Sequence, residues 1–132
     1  MNDEVVGNWL RKAENDLQIG KDEMAVDTPV MDMVCFHMQQ CCEKCLKAFL
    51  IFHAREYPRT HRLAALVTLC AEIDPEFLMI SGVEQLSRYA TTLRYGEEFY
   101  MPTFEETQQA IQWAERVREF VLQKLREAGY RE

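Results

Sequence analysis

The chain has 132 residues, a length that fits one domain over residues 1–132. Fifteen basic and 22 acidic residues give a formal net charge of −7, which argues against a protein that coats nucleic acid regardless of sequence, because such binding depends on lysine and arginine neutralising phosphates. Apolar residues make up 48% of the chain and charged residues 28%, which is typical of a globular protein, and no apolar run reaches the ~18 residues of a membrane-spanning helix.

Apolar residues at three- and four-residue steps predict a first helix over about residues 4–24, with Asp3 as its cap. A break follows, and Thr28 is expected to cap a second helix, with Pro29 at its first position. This second helix should cover about residues 29–54. At ~1.5 Å per residue it would span about 40 Å, the length of a small bundle.

The middle of the chain predicts shorter helical elements. Thr60 is expected to cap a third helix, and a short helical turn should begin at Asp74-Pro75 and include Phe77 and Leu78. Ser81 and Glu84 have the spacing of a capping box, in which each side chain bonds an exposed N–H of the helix start. They predict a helix that continues to about Arg94.

The C-terminal part predicts a loop over residues 95–102 and a last helix over about 104–128. Thr103 and Glu106 form a second capping-box pattern at its start, and Gly129 suits its end. The chain therefore predicts an all-α, antiparallel up-and-down helical bundle of four to five helices plus a short helical turn.

The predicted second helix carries a polar arc about 80° wide on the helical wheel. The members of this polar arc are His37, Gln40, Lys44 and Lys47. A phosphate or a ribose would use such a set, since lysine supplies a point charge, glutamine is both donor and acceptor, and protonated histidine adds a donor. The alternative is an ordinary solvated face, on which Glu43 pairs with Lys47 at the favourable four-residue spacing.

The same helix has two further features. Phe36, Leu50 and Ile51 lie away from the side expected to face the core, which indicates a second contact surface, either with another helix of the bundle or, as we favour, with a second subunit. Cys41 and Cys45 follow His37 at four-residue steps, but one helix cannot easily wrap four ligands around an ion, so no metal is predicted. The five cysteines, an odd number, and the acidic N-terminus without a secretory signal favour the reducing cytoplasm.

Two basic groups of residues lie outside this helix. Arg55, Arg59, His61 and Arg62 fall within eight residues of an otherwise acidic chain. His61 follows the expected cap of the third helix, where exposed N–H groups favour an anion; the alternative is that it only packs there and that the arginines are solvated. Arg94-Tyr95 closes the predicted fourth helix and would present a basic group beside an aromatic one, or merely compensate the helix dipole.

The segment Phe36-His-Met-Gln-Gln-Cys-Cys-Glu-Lys-Cys-Leu-Lys47 resembles the Phe-His-x-Gln-Gln-x-x-Glu-Lys-x-Leu-Lys helix of the HEPN family (higher eukaryotes and prokaryotes nucleotide-binding). Thr60-His-Arg-Leu63 is similar to the Thr-His-x-Leu segment that follows in that family. Arg94-Tyr-Gly96 resembles its Arg-Tyr-Pro element, with glycine in place of proline, and Trp9–Leu17 fits its first helix. The resemblance covers nearly the whole chain in the same order.

The resemblance implies a helical bundle, often a homodimer with a cleft between subunits, and a nucleotide or RNA ligand without a cofactor. Small prokaryotic members are often encoded beside a minimal nucleotidyltransferase, and some such pairs act as toxin and antitoxin. We therefore expect a binding module of this kind. Its expected ligand-binding residues are His37, Gln40, Lys44, Lys47, His61, Arg94 and Tyr95.

An endoribonuclease toxin is the alternative that the resemblance implies. Such members are metal-independent and use an Arg-x(4–6)-His motif ahead of the last helix. Here no histidine follows Arg94 in that segment, and the formal match is Arg55-x5-His61 in an earlier loop. The catalytic candidates are therefore Arg55, His61 and Arg94, and a non-enzymatic dimerisation or scaffold protein is a second alternative.

Overall fold

The computed structural model describes residues 2–91 and 100–132, and all regular structure in these two ranges is helical. The helices are α1 (Asp3–Met24), α2 (Met31–Phe52), α3 (Leu63–Ile73), a 3₁₀ helix η1 (Pro75–Tyr89) and α4 (Phe104–Glu127). The predicted all-α class is confirmed. None of the helices in the two ranges is both long and apolar enough to span a membrane.

Helix α2 lies at the centre of the bundle and contacts each of the other helices. It runs antiparallel to α1, since Gly20 near the end of α1 packs against Val34 near the start of α2, whereas Asn2 before α1 donates to the carbonyl oxygen of Ile51. Leu50 is fully buried within this chain, so the expectation that it faces a second subunit was wrong. A central helix is covered by its neighbours on more than one side. The prediction assumed that α2 buries only one apolar stripe, and it therefore placed Leu50 outside the core.

The starts of α1 and α2 differ from the predicted ones. Helix α1 begins at Asp3 itself, whose carboxylate accepts a hydrogen bond from the backbone N–H of Arg131 at 3.2 Å and does not cap the helix. Helix α2 begins at Met31 without a side-chain cap, so the expected Thr28–Pro29 start was wrong. Its 22 residues correspond to about 33 Å.

Helix α3 is capped by side chains from η1. The N–H of Leu63 donates to Ser87 Oγ at 2.8 Å, and the N–H of Ala64 donates to Glu84 Oε1 at 2.7 Å. Thr60 accepts only from the N–H of Arg62 in the preceding turn, so the expected Thr60 cap was wrong. The first N–H groups of α3 are satisfied from a distant part of the chain, as a buried helix start requires.

The expected capping box at Ser81 and Glu84 was also wrong, because Glu84 is engaged with α3. Residues Pro75–Tyr89 are assigned to one 3₁₀ helix, interrupted by non-helical backbone at Ile80. That interruption falls between the two helical elements predicted here.

Helix α4 has the predicted start and end. Glu106 N–H donates to Thr103 Oγ1 at 3.1 Å and Thr103 N–H donates to Glu106 Oε1 at 2.9 Å, so this capping box is confirmed. At the other end Gly129 adopts φ 101°, a conformation that favours glycine, and the N–H of Tyr130 reaches the carbonyl oxygen of Leu125 at 2.9 Å. The predicted end of the preceding helix at Arg94 and most of the loop after it lie outside the described residues.

Candidate polar binding surface

Asp16 of α1 joins two members of the polar arc. His37 Nδ1 lies 2.8 Å from Asp16 Oδ1, and Lys44 Nζ lies 2.5 Å from Asp16 Oδ2. The Asp16 side chain is 10% exposed. A carboxylate this buried needs hydrogen-bonded, charged partners, and an ionised carboxylate only accepts, so both nitrogens donate to it.

Glu43 of α2 organises the other half of the arc. Its Oε2 accepts from Lys47 Nζ at 2.8 Å, and its Oε1 is 2.9 Å from His61 Nδ1. Burial opposes ionisation of Glu43, but the hydrogen bonds from Lys47, His61 and Gln39 outweigh it and hold the pKa of this carboxyl below its ordinary value. Glu43 is therefore charged at neutral pH and fixes the side chains around it.

A pair of glutamines extends the Glu43 half of the arc. Gln40 Nε2 donates to Gln39 Oε1 at 2.7 Å, and Gln39 in turn donates to Glu43 Oε1 and to the carbonyl oxygen of His61. We call the whole set the polar seam. Its members are Asp16, His37, Gln39, Gln40, Glu43, Lys44, Lys47 and His61.

The seam balances its charges internally. Two lysines face two carboxylates, and the lysine side chains are 22% (Lys44) and 12% (Lys47) exposed. Lys47 also lies 5.9 Å from the ring centroid of Trp9 and 5.3 Å from that of Tyr57, distances at which an ammonium is attracted to an aromatic face. An incoming anion would therefore have to compete with a carboxylate for either lysine.

The two histidines lie at the edges of the seam. The side chain of His61 is 50% exposed and that of His37 is 25% exposed. Because each uses Nδ1 to contact a carboxylate, each has Nε2 as its other ring nitrogen for a ligand. The solvent-facing groups of the seam are thus the two imidazoles and the partly exposed Lys44, and Lys47 lies deeper.

The structure brings together most, but not all, of the predicted site residues. All four members of the polar arc and His61 belong to the seam. His61 does not lie at open N–H groups of α3, since Ser87 and Glu84 take the first two. Arg94 and Tyr95 lie outside the described residues.

Arg55 and His61 do not converge. Arg55 pairs with Glu72 near the end of α3, whereas His61 precedes the start of that helix and contacts Glu43. These positions are separated by about 14 Å along α3. The formal Arg55-x5-His61 match is therefore not an assembled pair here.

Sequence reasoning missed Asp16 as a partner of the arc. A signal was present, because Asp16 stands among Ala13, Leu17 and Gly20 on the buried side of α1, where an unpaired carboxylate would be costly. Within residues 2–91 and 100–132, no group of three or more histidine, cysteine, aspartate or glutamate side chains is arranged to hold a metal ion. Cys41 and Cys45 are buried free thiols in the core.

Comparison with known proteins extends the resemblance seen in the sequence. A family model described as "HEPN domain" matches residues 6–125. The crystal structure of ST0689, an archaeal HEPN homologue, superposes with a TM-score of 0.73 and 26% sequence identity, covering 91% of this chain and 97% of that one. No curated protein sequence matches the chain.

Proposed function

Because this chain belongs to the HEPN family, we propose that it binds a nucleotide or an RNA through the polar seam. The observation that carries the proposal is the concentration of phosphate- and ribose-binding side chains in one place. Two lysines, two histidines and a glutamine amide are fixed there by two buried carboxylates, although the chain as a whole is acidic. An unselected solvated face would not need buried carboxylates to hold it.

Binding would proceed by exchange of one anion for another. A phosphate oxygen would replace Asp16 at Lys44 Nζ, while the Nε2 edges of His37 and His61 and the amide of Gln40 would contact the phosphate or the ribose. Arg94 and Tyr95, which the family resemblance adds to the ligand-binding residues, are proposed to contribute as well. The exchange makes affinity moderate and sensitive to the charge of the ligand, because the new contact to Lys44 costs the existing one to Asp16.

The family resemblance supports further proposals. Residues 1–132 would act as one unit, form a homodimer and work with a minimal nucleotidyltransferase in a toxin–antitoxin-like module. Co-purification with the product of a neighbouring gene and light scattering of the isolated chain test these two partnerships. A monomer that captures no such product would refute both.

Calorimetric titration with nucleoside mono-, di- and triphosphates and with short RNAs tests the binding function. We expect saturable binding by the wild-type chain and at least a tenfold loss in Lys44→Gln/Lys47→Gln. Lys21→Gln is the matched control, since Lys21 also pairs with a carboxylate, that of Glu115, but on the open surface. The proposal fails if no ligand binds saturably, or if the double variant binds as tightly as the control.

An endoribonuclease is the second candidate, favoured by one observation. Each histidine of the seam has Nδ1 against a carboxylate, the arrangement that orients an imidazole for general acid–base chemistry through Nε2. RNA incubated with the protein in the presence of a chelator would then be cleaved, and His61→Ala would abolish the cleavage. Intact RNA together with normal growth of expressing cells would remove this candidate and leave binding or a scaffold role.

A further inference from the structure

A small cavity continues the polar seam beyond His37. It has a volume of about 250 Å³ and lies between the last turns of α1 and the first turns of α2. Its walls are mainly apolar, and two side chains with polar atoms, Glu23 and His37, stand at its edge. The larger apolar residues of the lining are Ile19, Val30, Met33 and Val34.

The cavity is open and apolar at its mouth. Ile19 is 54% exposed and Val30 is 49% exposed, so two branched aliphatic side chains of the lining face solvent. Covering such surface is favourable because it removes apolar area from water. A ligand that offers a flat apolar face would gain this contribution here.

We propose that this cavity receives the nucleobase of the ligand whose phosphate lies at Lys44, a proposal that rests on the function proposed above. His37 belongs to both places, as it lines the cavity and shares Asp16 with Lys44. His37 and Lys44 are separated by about 10 Å along α2, a distance that the ribose and phosphates of one nucleotide can bridge. The apolar cavity, the His37 imidazole and the Lys44 ammonium group thus follow one another in the order of the base, the ribose and the phosphate of a nucleotide.

The size of the cavity favours a base over a larger occupant. Sites for drug-sized molecules enclose about 300–1,000 Å³, so a cavity below that range suits a single planar ring system. A neighbouring helix would need a longer apolar groove, whereas this cavity is also lined by His37, whose imidazole contacts the buried Asp16 carboxylate.

Glu23 gives the cavity a preference among bases. Its Oε2 accepts from the backbone N–H of Val30 at 3.0 Å, which fixes the carboxylate at the edge of the cavity. Oε1 would then accept from a base, as carboxylates do from the exocyclic amino group of cytosine. Adenine and cytosine are therefore preferred to uracil, which has no exocyclic amino group to donate to the carboxylate.

Titration of separate parts of the ligand tests the proposal. Adenosine 5′-monophosphate, uridine 5′-monophosphate and ribose 5-phosphate are titrated into the wild-type chain, Ile19→Glu and Val5→Glu. Val5 is the matched control, because it lies on α1 and is 46% exposed but does not line the cavity. We expect Ile19→Glu to weaken the binding of adenosine 5′-monophosphate at least tenfold and to leave the affinity for ribose 5-phosphate unchanged. Val5→Glu should change neither affinity.

The outcomes separate the two proposals. If Ile19→Glu binds the adenine nucleotide as the control does, while ribose 5-phosphate still binds, the base pocket is wrong and the phosphate site stands. If none of the three compounds binds the wild-type chain, the base pocket is refuted, and the proposed function fails with it when short RNAs do not bind either. Conversion of a dimer into a monomer by Ile19→Glu would identify a subunit contact and overturn the base pocket.

As a second variant, Glu23→Gln should reduce the preference for adenine over uracil, and an unchanged ratio of the two affinities would refute the role of Glu23.

Discussion

Replacing Lys44 with methionine tests how strongly the polar seam depends on its internal ion pairs. Asp16 is 10% exposed, and the substitution removes its partner at 2.5 Å while His37 remains at 2.8 Å. Removing one partner of a fully buried ion pair costs about 3–5 kcal/mol, whereas exposed pairs contribute about 0–1 kcal/mol. Because Lys44 is 22% exposed and His37 still donates, we expect a loss of about 2–3 kcal/mol in the free energy of unfolding.

Urea unfolding at pH 7 measures this loss. Lys21→Met is the control, since Lys21 and Glu115 are 48% and 44% exposed, and it should cost less than about 1 kcal/mol. The double variant Asp16→Asn/Lys44→Met should recover much of the stability, because no unpaired carboxylate is left behind. If Lys44→Met costs no more than Lys21→Met, the inference of a buried, internally paired seam is refuted.

Three further predictions follow from the same structure. Since the folded pKa of Glu43 is depressed, its contribution to stability is present above the ordinary glutamate pKa of about 4.3 and is lost as pH falls through the folded value. Unfolding free energies between pH 6 and pH 3 should therefore fall more steeply for the wild-type chain than for Glu43→Gln, and equal slopes would contradict this. All five cysteines are buried, and burial raises the pKa of Cys35 to about 11 and that of Cys70 further, so iodoacetamide at pH 8 should label none in the folded protein and all five after unfolding. Rapid labelling of the native chain, read by mass spectrometry, would contradict the burial. Gly129→Ala should cost about 1 kcal/mol in urea unfolding because φ is 101° there, and an unchanged midpoint would argue against the glycine-type helix end.

Features that depend on neighbouring residues alone were predictable. The Thr103–Glu106 capping box and the Gly129 helix end each involve only a few consecutive residues, and both were confirmed. The polar arc also follows from local geometry, because helical spacing alone places its members on one side of α2. The resemblance to the HEPN family predicted the same helical-bundle class that helical periodicity already favoured.

Features that depend on distant parts of the chain were not predictable in the same way. The start of α3 is capped by Ser87 and Glu84, which lie more than 20 residues later, so the local signal at Thr60 was misleading. Leu50 is buried because α2 is surrounded by the other helices, a property of the whole packing arrangement. The role of Asp16 likewise needs the antiparallel register of α1 and α2, which places it opposite Lys44.

The nucleotide affinity of Asp16→Asn shows whether a bound phosphate takes the place of a buried carboxylate. If a phosphate must displace the Asp16 carboxylate from Lys44, removing that negative charge while keeping the side-chain shape should tighten binding in calorimetry. We expect a gain of about tenfold, equivalent to about 1.4 kcal/mol. Unchanged or weaker binding by a variant that remains folded would refute the exchange of the Asp16 carboxylate for a phosphate.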